Sequence, residues 1–447
     1  MQKNDRLSLF VEDLSFEGAG VARAEGQVVF IEGALPHEKV RAHILKVTSK
    51  YALAKMVALE SDPNPRRRQP ACSRFGKCGG CRLQHMAYSL QLELKRRQVE
   101  DCFARAGLSC PVSPVIPSEK EYYYRNKGAF PVGMGQKGPE VGMYAPRSHR
   151  IIPGTDCPLH QPEVTSAIRA VESWMREHRV PGWREEKGQG LIRHIIARNT
   201  AGGVMAVIVA SSPEIPRRRE LLRVLETRVR GLASVIWNVN DRDTNVILGP
   251  ESRCIWGEPA LTEAIGGLSF RVSAHAFLQV NPYQTPRLYA EVAGAAALTG
   301  TQRVYDAYCG IGTIGQLLAK DAASVLGVEE TPAAVEDAVA NAAANGIPHA
   351  SYLAGRAEEV FPKWVARGEQ PDVLVVDPPR KGCHPDFIDA ALEAGPGRIV
   401  YVSCNPATLA RDAALLSAGG YRPVYARPLD MFPQTPGVET VVLMSRV

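Results

Sequence analysis

The sequence lacks the long apolar run that a membrane-spanning helix requires. Such a helix needs about 18 consecutive apolar residues, and the apolar segment Val204–Ala210 is far shorter. Residues 1–14 carry acidic side chains within their only apolar stretch, which is atypical of a secretion signal. These absences predict a cytoplasmic protein with no membrane partner.

The chain also lacks internal repeats, low-complexity tracts and a dense disulfide framework. Its ten cysteines are spread over 447 residues, several of them clustered and others isolated. In a reducing compartment such cysteines are candidates for metal binding or catalysis. The net charge of +6 favours a polyanionic partner without requiring one.

The order of patterns along the chain predicts three domains, as the length suggests. Residues 1–61 contain short stretches that alternate apolar and polar residues, and they predict a small β-barrel. Residues 62–268 begin with a Pro- and Arg-rich linker and form a mixed α/β domain, with a helix predicted over 84–106. Residues 269–447 alternate strand and helix, which predicts an α/β, Rossmann-like domain built on a parallel sheet.

A cofactor site is predicted at the start of this last domain. The strand Val304–Ala307 is followed by Gly310 and Gly312, so the backbone there can approach a ligand closely. The next strand ends in Glu329, an acid placed to accept hydrogen bonds from ribose hydroxyls. The third glycine of a dinucleotide site is absent, which favours an adenosine-type ligand such as S-adenosylmethionine. A plain turn is the alternative.

Two further strands of this domain end in residues suited to catalysis. Asp377 and Cys404 each follow a predicted strand, and the carboxyl ends of strands in an open sheet border one crevice. Cys404 also precedes a helix, whose N-terminus lowers a thiol pKa. Arg380 stands where amino-directed methyltransferases place an aromatic residue, which disfavours an exocyclic amine as the target.

Methylation at carbon 5 of uridine requires a thiolate of this kind. Addition of a thiolate to C6 breaks the aromaticity of the ring and makes C5 nucleophilic. A base must then remove the C5 proton so that the thiol can leave. Glu439 is the candidate base, and a surface acid is the alternative interpretation.

Three cysteines near residue 80 have the close spacing of metal ligands. Cys72, Cys78 and Cys81 lie on a glycine-containing loop, a pattern that suits zinc or an iron–sulfur cluster. The candidates for a fourth ligand are Cys102, Cys110 and Cys157.

Taken in order, these motifs resemble a family, the bacterial RNA uridine-5-methyltransferases that carry a [4Fe–4S] cluster and an N-terminal TRAM domain. The resemblance extends over nearly the whole chain. It rests on Cys72, Cys78, Cys81, Gln84-His85, Tyr124-Arg125-Asn126-Lys127, Cys157, Phe277-Leu278-Gln279-Val280-Asn281, Asp306 to Gly312, Asp377 to Arg380, Ser403-Cys404-Asn405-Pro406 and Glu439.

The resemblance implies a role for each of several residues. Cys404 is then the nucleophile and Glu439 the base, and Cys157 joins Cys72, Cys78 and Cys81 as the fourth ligand of a [4Fe–4S] cluster. The implied contacts to S-adenosylmethionine are Gln279, Tyr308, Glu329 and Asp377, besides Gly310 in the glycine turn. It also implies that the predicted helix 84–106 packs on the catalytic domain.

The resemblance further implies an RNA-binding TRAM barrel and an RNA-facing surface. The residues expected on that surface are Arg125, Lys127, Arg193, His194 and Phe277. The basic residues there would contact mainly phosphates. Phe277 would stack on a flipped base, and core packing is the alternative for this side chain.

The expected partner is 23S ribosomal RNA rather than transfer RNA, and the expected form is a monomer. Three other interpretations are a non-catalytic RNA-binding protein with a methyltransferase-like fold, an iron–sulfur radical or redox enzyme, and a cytosine-5 methylase. The chain departs from the family at three positions. Gln434 and Gly437 replace the histidines of a His-Thr-x-His motif, and Arg356 replaces an Asp or Asn expected at the adenine.

Overall fold

The N-terminal strands form a curved sheet in the computed structural model, which describes residues 1–447. The strands are β1 (Arg6–Phe10), β2 (Asp13–Leu14), β3 (Gly20–Ala24), β4 (Gln27–Glu32), β5 (Lys39–Val47) and β6 (Tyr51–Leu59). Their order in the sheet is β1-β5-β6-β4-β3-β2. Because β1 also lies against β3, the sheet curls around its own apolar core, which includes Val11, Val29 and Ile31.

Helix α1 (Tyr88–Arg105) connects this sheet to the rest of the molecule. It is shorter than the predicted helix over 84–106, chiefly at its start. The backbone of Ala87 is extended, and its N–H donates to the Arg66 carbonyl at 2.7 Å, so no helical turn forms before Tyr88. Leu90 and Leu94 pack toward the N-terminal sheet, while the far end of α1 packs on the C-terminal domain.

The middle of the chain forms a second sheet that is covered by two helices. Its elements are β7 (Lys127–Gly135), β8 (Gly138–Tyr144), β9 (Ile151–Pro153), α2 (Pro162–Glu177), β10 (Ile192–Thr200), β11 (Gly203–Ala210), α3 (Arg218–Arg228), β12 (Leu232–Val239) and β13 (Glu251–Gly257). The strand order is β13-β12-β11-β10-β7-β8-β9. Helices α2 and α3 close one face over a core that includes Trp174 and Trp237.

The C-terminal part begins with a hairpin and continues as an α/β sheet. Its elements are β14 (Ala260–Ile265), β15 (Leu268–Ser273), α4 (Thr285–Ala296), β16 (Arg303–Ala307), α5 (Thr313–Ala319), β17 (Ser324–Glu329), α6 (Pro332–Ala344), β18 (Ala350–Ala354), α7 (Ala357–Val365), β19 (Val373–Val376), α8 (Pro385–Ala394), β20 (Arg398–Ser403), α9 (Pro406–Ala418), β21 (Tyr421–Leu429) and β22 (Glu439–Arg446).

This C-terminal sheet confirms the predicted α/β architecture and corrects one detail. The strand order is β18-β17-β16-β19-β20-β22-β21. The first five strands of that order are parallel, but β22 is antiparallel to both of its neighbours, so the sheet is mixed rather than wholly parallel. Apolar cores cover both of its faces.

None of the helices combines the length and the apolar character needed to cross a membrane.

Candidate active site and cysteine cluster

The candidate catalytic residues meet at one edge of the C-terminal sheet. Asp377 follows β19 and Cys404 follows β20, so both lie at carboxyl ends of parallel strands. Strand β22 runs the other way, and its first residue, Glu439, therefore lies at the same edge. The register pairs Ser403 with Thr440, which brings Cys404 and Glu439 side by side. We call the space bordered by Asp377, Cys404 and Glu439 the active-site crevice.

The two carboxyl groups of the crevice are deeply buried. Glu439 is 2% exposed. Burial raises its pKa well above the usual range, the neighbouring Asp377 adds to the shift, and Arg380 opposes it. Burial likewise raises the pKa of Asp377 to about 7. Because the Asp377 and Glu439 carboxyl groups are neighbours and both are buried, ionisation of both at once is unfavourable.

The thiol of Cys404 differs in one respect from the sequence-based expectation. Burial raises its pKa, and the carboxyl groups of Glu439 and Asp377 raise it further. Helix α9 does begin at Pro406, with the Asn405 side chain accepting from the Ala407 N–H at 3.2 Å. Burial and the two neighbouring acids thus disfavour the thiolate form of Cys404.

Arg380 is the group that supplies positive charge to this thiol. Its guanidinium lies near the Cys404 thiol, and its positive charge lowers the thiol pKa. The Arg380 carbonyl accepts from Asn405 Nδ2 at 2.9 Å and from Thr408 Oγ1 at 3.3 Å, which fixes the loop. Sequence reasoning used Arg380 only to exclude an amine target. Its place after a strand-terminal Asp-Pro-Pro was the signal for a direct role.

The predicted cofactor site adjoins the crevice along β16 and β17. Asp306 is fully buried, and its Oδ2 accepts from the Gly315 N–H at 2.9 Å while Oδ1 has no partner. Glu329 accepts from the N–H groups of Gly310 at 3.2 Å and Thr331 at 2.9 Å. Burial raises the pKa of Asp306 to about 7. A buried Asp306 with one unpaired oxygen, beside the half-buried Glu329, fits a polar and cationic cofactor.

Two aromatic residues complete the wall of this site. Tyr308 has a φ of 62°, a left-handed conformation uncommon outside glycine, and its ring lies 5.8 Å from that of Phe387. Tyr289, on α4, hydrogen-bonds Thr313 Oγ1 at 3.1 Å and lies close to Asp377 and Glu439. Sequence reasoning missed Tyr289, because nothing in the pattern of α4 distinguishes it from a core residue.

The segment before α4 contains two predicted site residues, one exposed to solvent and one buried. Phe277 is 65% exposed, which excludes its alternative interpretation as a core residue, whereas Gln279 is buried. The segment is held in place by Arg198, which donates to the Ala276 carbonyl at 2.6 Å. The Asn126 N–H donates to the Val280 carbonyl at 2.9 Å.

The basic residues expected to face RNA are partly buried rather than fully exposed. Arg193 donates to the carbonyls of Asn240 and Arg242, and its guanidinium lies 4.6 Å from the Trp183 ring. Burial lowers the pKa of His194 to about 4 and that of Lys127 to about 7. These side chains are therefore only partly available to RNA, and Arg193 is already engaged by the protein.

The four predicted cysteine ligands gather at one place, although they come from distant segments. Burial raises the pKa of Cys81 to about 12, and the thiols of Cys157 and Cys78 raise it further. Burial also raises the pKa of Cys157, with Cys72 and Cys78 adding to the shift. We call Cys72, Cys78, Cys81 and Cys157 the cysteine cluster. Cys102 and Cys110 instead pack against the core of the C-terminal sheet.

The spacing of the clustered cysteines and the hydrogen-bond donors around them determine which inorganic group could bind there. No three Cys, His, Asp or Glu side chains lie close enough together to hold a single metal ion. The Gly80 N–H donates to Cys78 Sγ at 3.3 Å, and Gln84 Oε1 accepts from the Cys72 N–H at 3.1 Å. Arg125 lies beside Cys81 and Cys157 with its Nε buried and unpaired. Four neighbouring thiols with one N–H donor to sulfur and an unpaired, buried Arg125 Nε beside them fit an anionic iron–sulfur cluster, which is larger than one ion.

The fold and the active-site crevice together define an open-sheet α/β methyltransferase with an added N-terminal sheet. Residues 3–57 match the TRAM domain model, and residues 264–447 match the tRNA (uracil-5-)-methyltransferase model. An uncharacterized RNA methyltransferase of Clostridium acetobutylicum is 40% identical, over 100% of this chain and 98% of its own length. One from Halalkalibacterium halodurans is 42% identical over 99% and 98%.

A solved structure shares the architecture of nearly the whole molecule. It is the Pyrococcus abyssi tRNA (uracil-54, C5)-methyltransferase in complex with S-adenosyl-L-homocysteine. It has a TM-score of 0.78 and 27% identity, over 98% of this chain and 100% of that one. The chain belongs to the RNA (uracil-5-)-methyltransferase family with a TRAM domain, and it is an S-adenosylmethionine-dependent enzyme.

Proposed function

We propose that this enzyme methylates carbon 5 of a uridine in structured RNA, with Cys404 as nucleophile and Glu439 as base. The observation that carries the proposal is the pairing of β20 with β22, which brings Cys404 beside Glu439 in a buried crevice. Arg380 adds the positive charge that a thiolate needs there. Because these residues are intact, a non-catalytic RNA-binding role has no support in the crevice.

The residues of the crevice act in sequence on the uridine ring. The Cys404 thiolate, stabilised by Arg380, forms a bond to C6, and the ring electrons shift to C5. S-adenosylmethionine supplies the electrophilic methyl group that C5 takes up. Glu439 then accepts the C5 proton, the C5=C6 double bond re-forms, and the bond between C6 and sulfur breaks to return the thiolate. Glu439 must be ionised at that step, and its raised pKa then makes the carboxylate a stronger base than an ordinary glutamate.

The predicted cofactor residues each have a role consistent with this chemistry. Glu329 lies at the end of β17, where it would accept hydrogen bonds from ribose hydroxyls. Burial raises the pKa values of Asp377 and Asp306, and a sulfonium bound beside these acids would favour their ionised forms. Gln279, Tyr308 and Gly310 border the same region. Arg356 forms ion pairs with Glu358 and Glu359, so an adenine contact at this position would fall to the backbone.

We propose that the cysteine cluster holds a [4Fe–4S] cluster with a structural role. The support is the gathering of four thiols from two distant segments, with the Gly80 N–H donating to one sulfur and Arg125 nearby. Bound there, the cluster would hold these segments together. A radical enzyme built on a barrel is disfavoured, since the C-terminal sheet, which carries the active-site crevice and is called the catalytic sheet below, is open and mixed.

We propose 23S ribosomal RNA as the substrate, with transfer RNA as the second candidate. Ribosomal RNA is supported by the resemblance to cluster-bearing enzymes, some of which act on it. The TRAM strands do not discriminate, because the archaeal tRNA enzyme matches 98% of this chain and so includes them. Competition between a 23S transcript and a tRNA transcript for limiting enzyme tests the preference. Faster methylation of the tRNA would overturn it.

The nucleophile is tested by trapping the enzyme on RNA that contains 5-fluorouridine. Fluorine at C5 cannot leave as a proton, so the covalent adduct should persist with the wild-type enzyme and disappear in Cys404→Ala. Cys254→Ala is the matched control, because Cys254 is exposed and lies on β13 of the middle sheet rather than on the C-terminal sheet. An adduct that survives in Cys404→Ala rules out the assignment.

The base is tested by Glu439→Gln, which keeps the shape of the side chain and removes its basicity. Methyl transfer to C5 should still occur, but the C5 proton would remain and the methylated RNA would stay attached to Cys404. The loss in turnover should be about 100-fold or more. Denaturing gels with methyl-labelled cofactor measure the adduct. Wild-type turnover by this variant would exclude Glu439 as the base.

A further inference from the structure

The loop between β21 and β22 leads directly into the proposed base. It spans residues 430–438, and the strands on either side pair Leu429 with Glu439. At its centre Gln434 is 2% exposed and has a φ of 70°, a left-handed conformation uncommon for a non-glycine residue. A buried amide held in that conformation needs partners from elsewhere in the chain.

Those partners come from α1 and from the segment that follows the clustered cysteines. The Gln434 N–H donates to Gln91 Oε1 at 3.0 Å, and Gln91 Nε2 donates to Gln434 Oε1 at 3.0 Å. The N–H groups of Arg82 and Leu83, adjacent to Cys81, both donate to the Gln434 carbonyl at 3.1 Å. Gln434 therefore links the cysteine-bearing segment to the loop that ends in the base.

The remaining contacts of the loop reinforce this link. Gln434 Nε2 donates to Glu121 at 3.3 Å, and the Tyr124 hydroxyl donates to the Pro433 carbonyl at 2.9 Å. Lys95 donates to Asp430 at 2.5 Å and to the Phe432 carbonyl at 3.1 Å. The loop is thus fixed from outside the catalytic sheet, by residues 82–124.

We propose that Gln434 is a positioning residue, and that its link to Gln91 and to the Arg82–Leu83 backbone sets Glu439 for proton removal. This inference rests on the proposed function of Glu439. The step concerned is the last one, in which the Glu439 carboxylate takes the C5 proton, those electrons form C5=C6, and the bond from C6 to Cys404 sulfur breaks. Addition and methyl transfer precede this step and do not use Glu439.

The chemistry of the link identifies the residues that can replace Gln434. Its side chain uses one acceptor, toward Gln91, and one donor, toward Glu121. A neutral imidazole also offers one acceptor and one donor, so Gln434→His should preserve the link. Gln434→Leu has a similar volume and provides neither group. Gln91→Leu breaks the same pair from the other side.

The test measures the fraction of the enzyme that is covalently attached to methylated RNA. In Gln434→Leu and Gln91→Leu, turnover should fall about tenfold to 100-fold, as expected for a displaced catalytic group, and the methylated adduct should accumulate. S-adenosylmethionine affinity should not change. Gln434→His should turn over at close to the wild-type rate. Gln370→Ala, an exposed glutamine elsewhere, is the control.

A purely structural role predicts a different result. Loss of folded protein would lower turnover without raising the fraction of enzyme held as adduct, and that outcome overturns the proposal. Deuterium exchange of the backbone amides at residues 434–440 tests the link without any catalysis. Exchange should speed up in Gln434→Leu, and unchanged exchange overturns the proposal. Failure of the wild-type enzyme to form any uridine adduct would instead contradict the proposed function.

Discussion

At the scale of single residues, burial in the active-site crevice disfavours the charged forms of the side chains that the proposed chemistry requires. Cys404 must ionise to attack the ring, yet burial and the acids Glu439 and Asp377 raise its pKa. Arg380 opposes these effects, because its positive charge lowers the thiol pKa. We therefore assign to Arg380 a direct part in activating the nucleophile, beside the N-terminus of α9.

This assignment predicts the behaviour of Arg380→Gln. Loss of the guanidinium should raise the pKa of Cys404 further, so less thiolate is present at any pH below that pKa. Alkylation of Cys404 by iodoacetamide at pH 7 should slow about two- to tenfold, and its pH profile should move to higher pH. Lys381→Gln is the matched control, because Lys381 has no part in the Cys404 shift. A profile unchanged by Arg380→Gln would contradict the assignment.

Some residue roles could be predicted from the sequence and others could not. The strand-terminal positions of Asp377 and Cys404 follow from the alternation of strand and helix, since parallel strands end at one edge. Glu439 lies at the same edge because β22 is antiparallel to β20. This pairing joins distant segments, so the position of Glu439 could not be predicted from the local pattern. The partial burial of Lys127, Arg193 and His194 also depends on tertiary packing, so their exposure was overestimated.

At the scale of elements, α1 connects the N-terminal sheet, the cysteine-bearing segment and the catalytic sheet. Its early residues pack with Leu14 and Leu35, and its later residues Val99 and Phe103 enter the catalytic core. Between these two regions, Lys95 is buried in an ion pair with Asp430 at 2.5 Å. A buried charge that loses its partner is far more costly than an exposed one.

The helix should therefore be sensitive to loss of Lys95. Lys95→Met leaves the Asp430 carboxylate buried without its cation and should lower the free energy of unfolding by about 3–5 kcal/mol. Replacing both residues, with Asp430→Leu, should recover much of that loss. Urea unfolding measures each variant.

Arg96 is the internal control for this prediction. It forms an exposed pair with Glu100 on the same helix, and Arg96→Met should change the free energy of unfolding by only about 0.3–0.5 kcal/mol. Equal effects of Lys95→Met and Arg96→Met would show that the buried pair has no special weight.

The elements of the catalytic sheet were more predictable than those before it. Its strands alternate with helices, and the strand predicted over Val304–Ala307 is observed as β16, Arg303–Ala307. The start of α1 was predicted too early, because the sequence does not show that the Ala87 N–H pairs with Arg66. The order of the seven strands in the middle sheet depends on pairings between distant segments, which composition does not encode.

At the scale of the whole molecule, the cysteine cluster joins segments that are distant in sequence. Cys72, Cys78 and Cys81 precede α1, whereas Cys157 lies just before α2. A group bound by all four would hold the segment before α2, which carries Cys157, against the Arg82–Leu83 segment that contacts Gln434. The assembly would then depend on a complete set of ligands.

The cysteine cluster is tested by protein purified without oxygen. Iron and acid-labile sulfide should be present in equal amounts, with visible absorbance, and Cys157→Ser should lose most of both. Cys110→Ser is the control, because Cys110 packs against the catalytic core instead. Full iron content in Cys157→Ser, or zinc in place of iron, would contradict the proposed [4Fe–4S] group.

The most direct test of the central claim identifies the nucleoside that the enzyme makes. Total RNA from a strain lacking this gene is incubated with the enzyme and methyl-labelled S-adenosylmethionine, then digested and separated. The account predicts label in 5-methyluridine, with none when Cys404→Ala replaces the wild-type enzyme. Label in 5-methylcytidine, or no label in any pyrimidine, would contradict it.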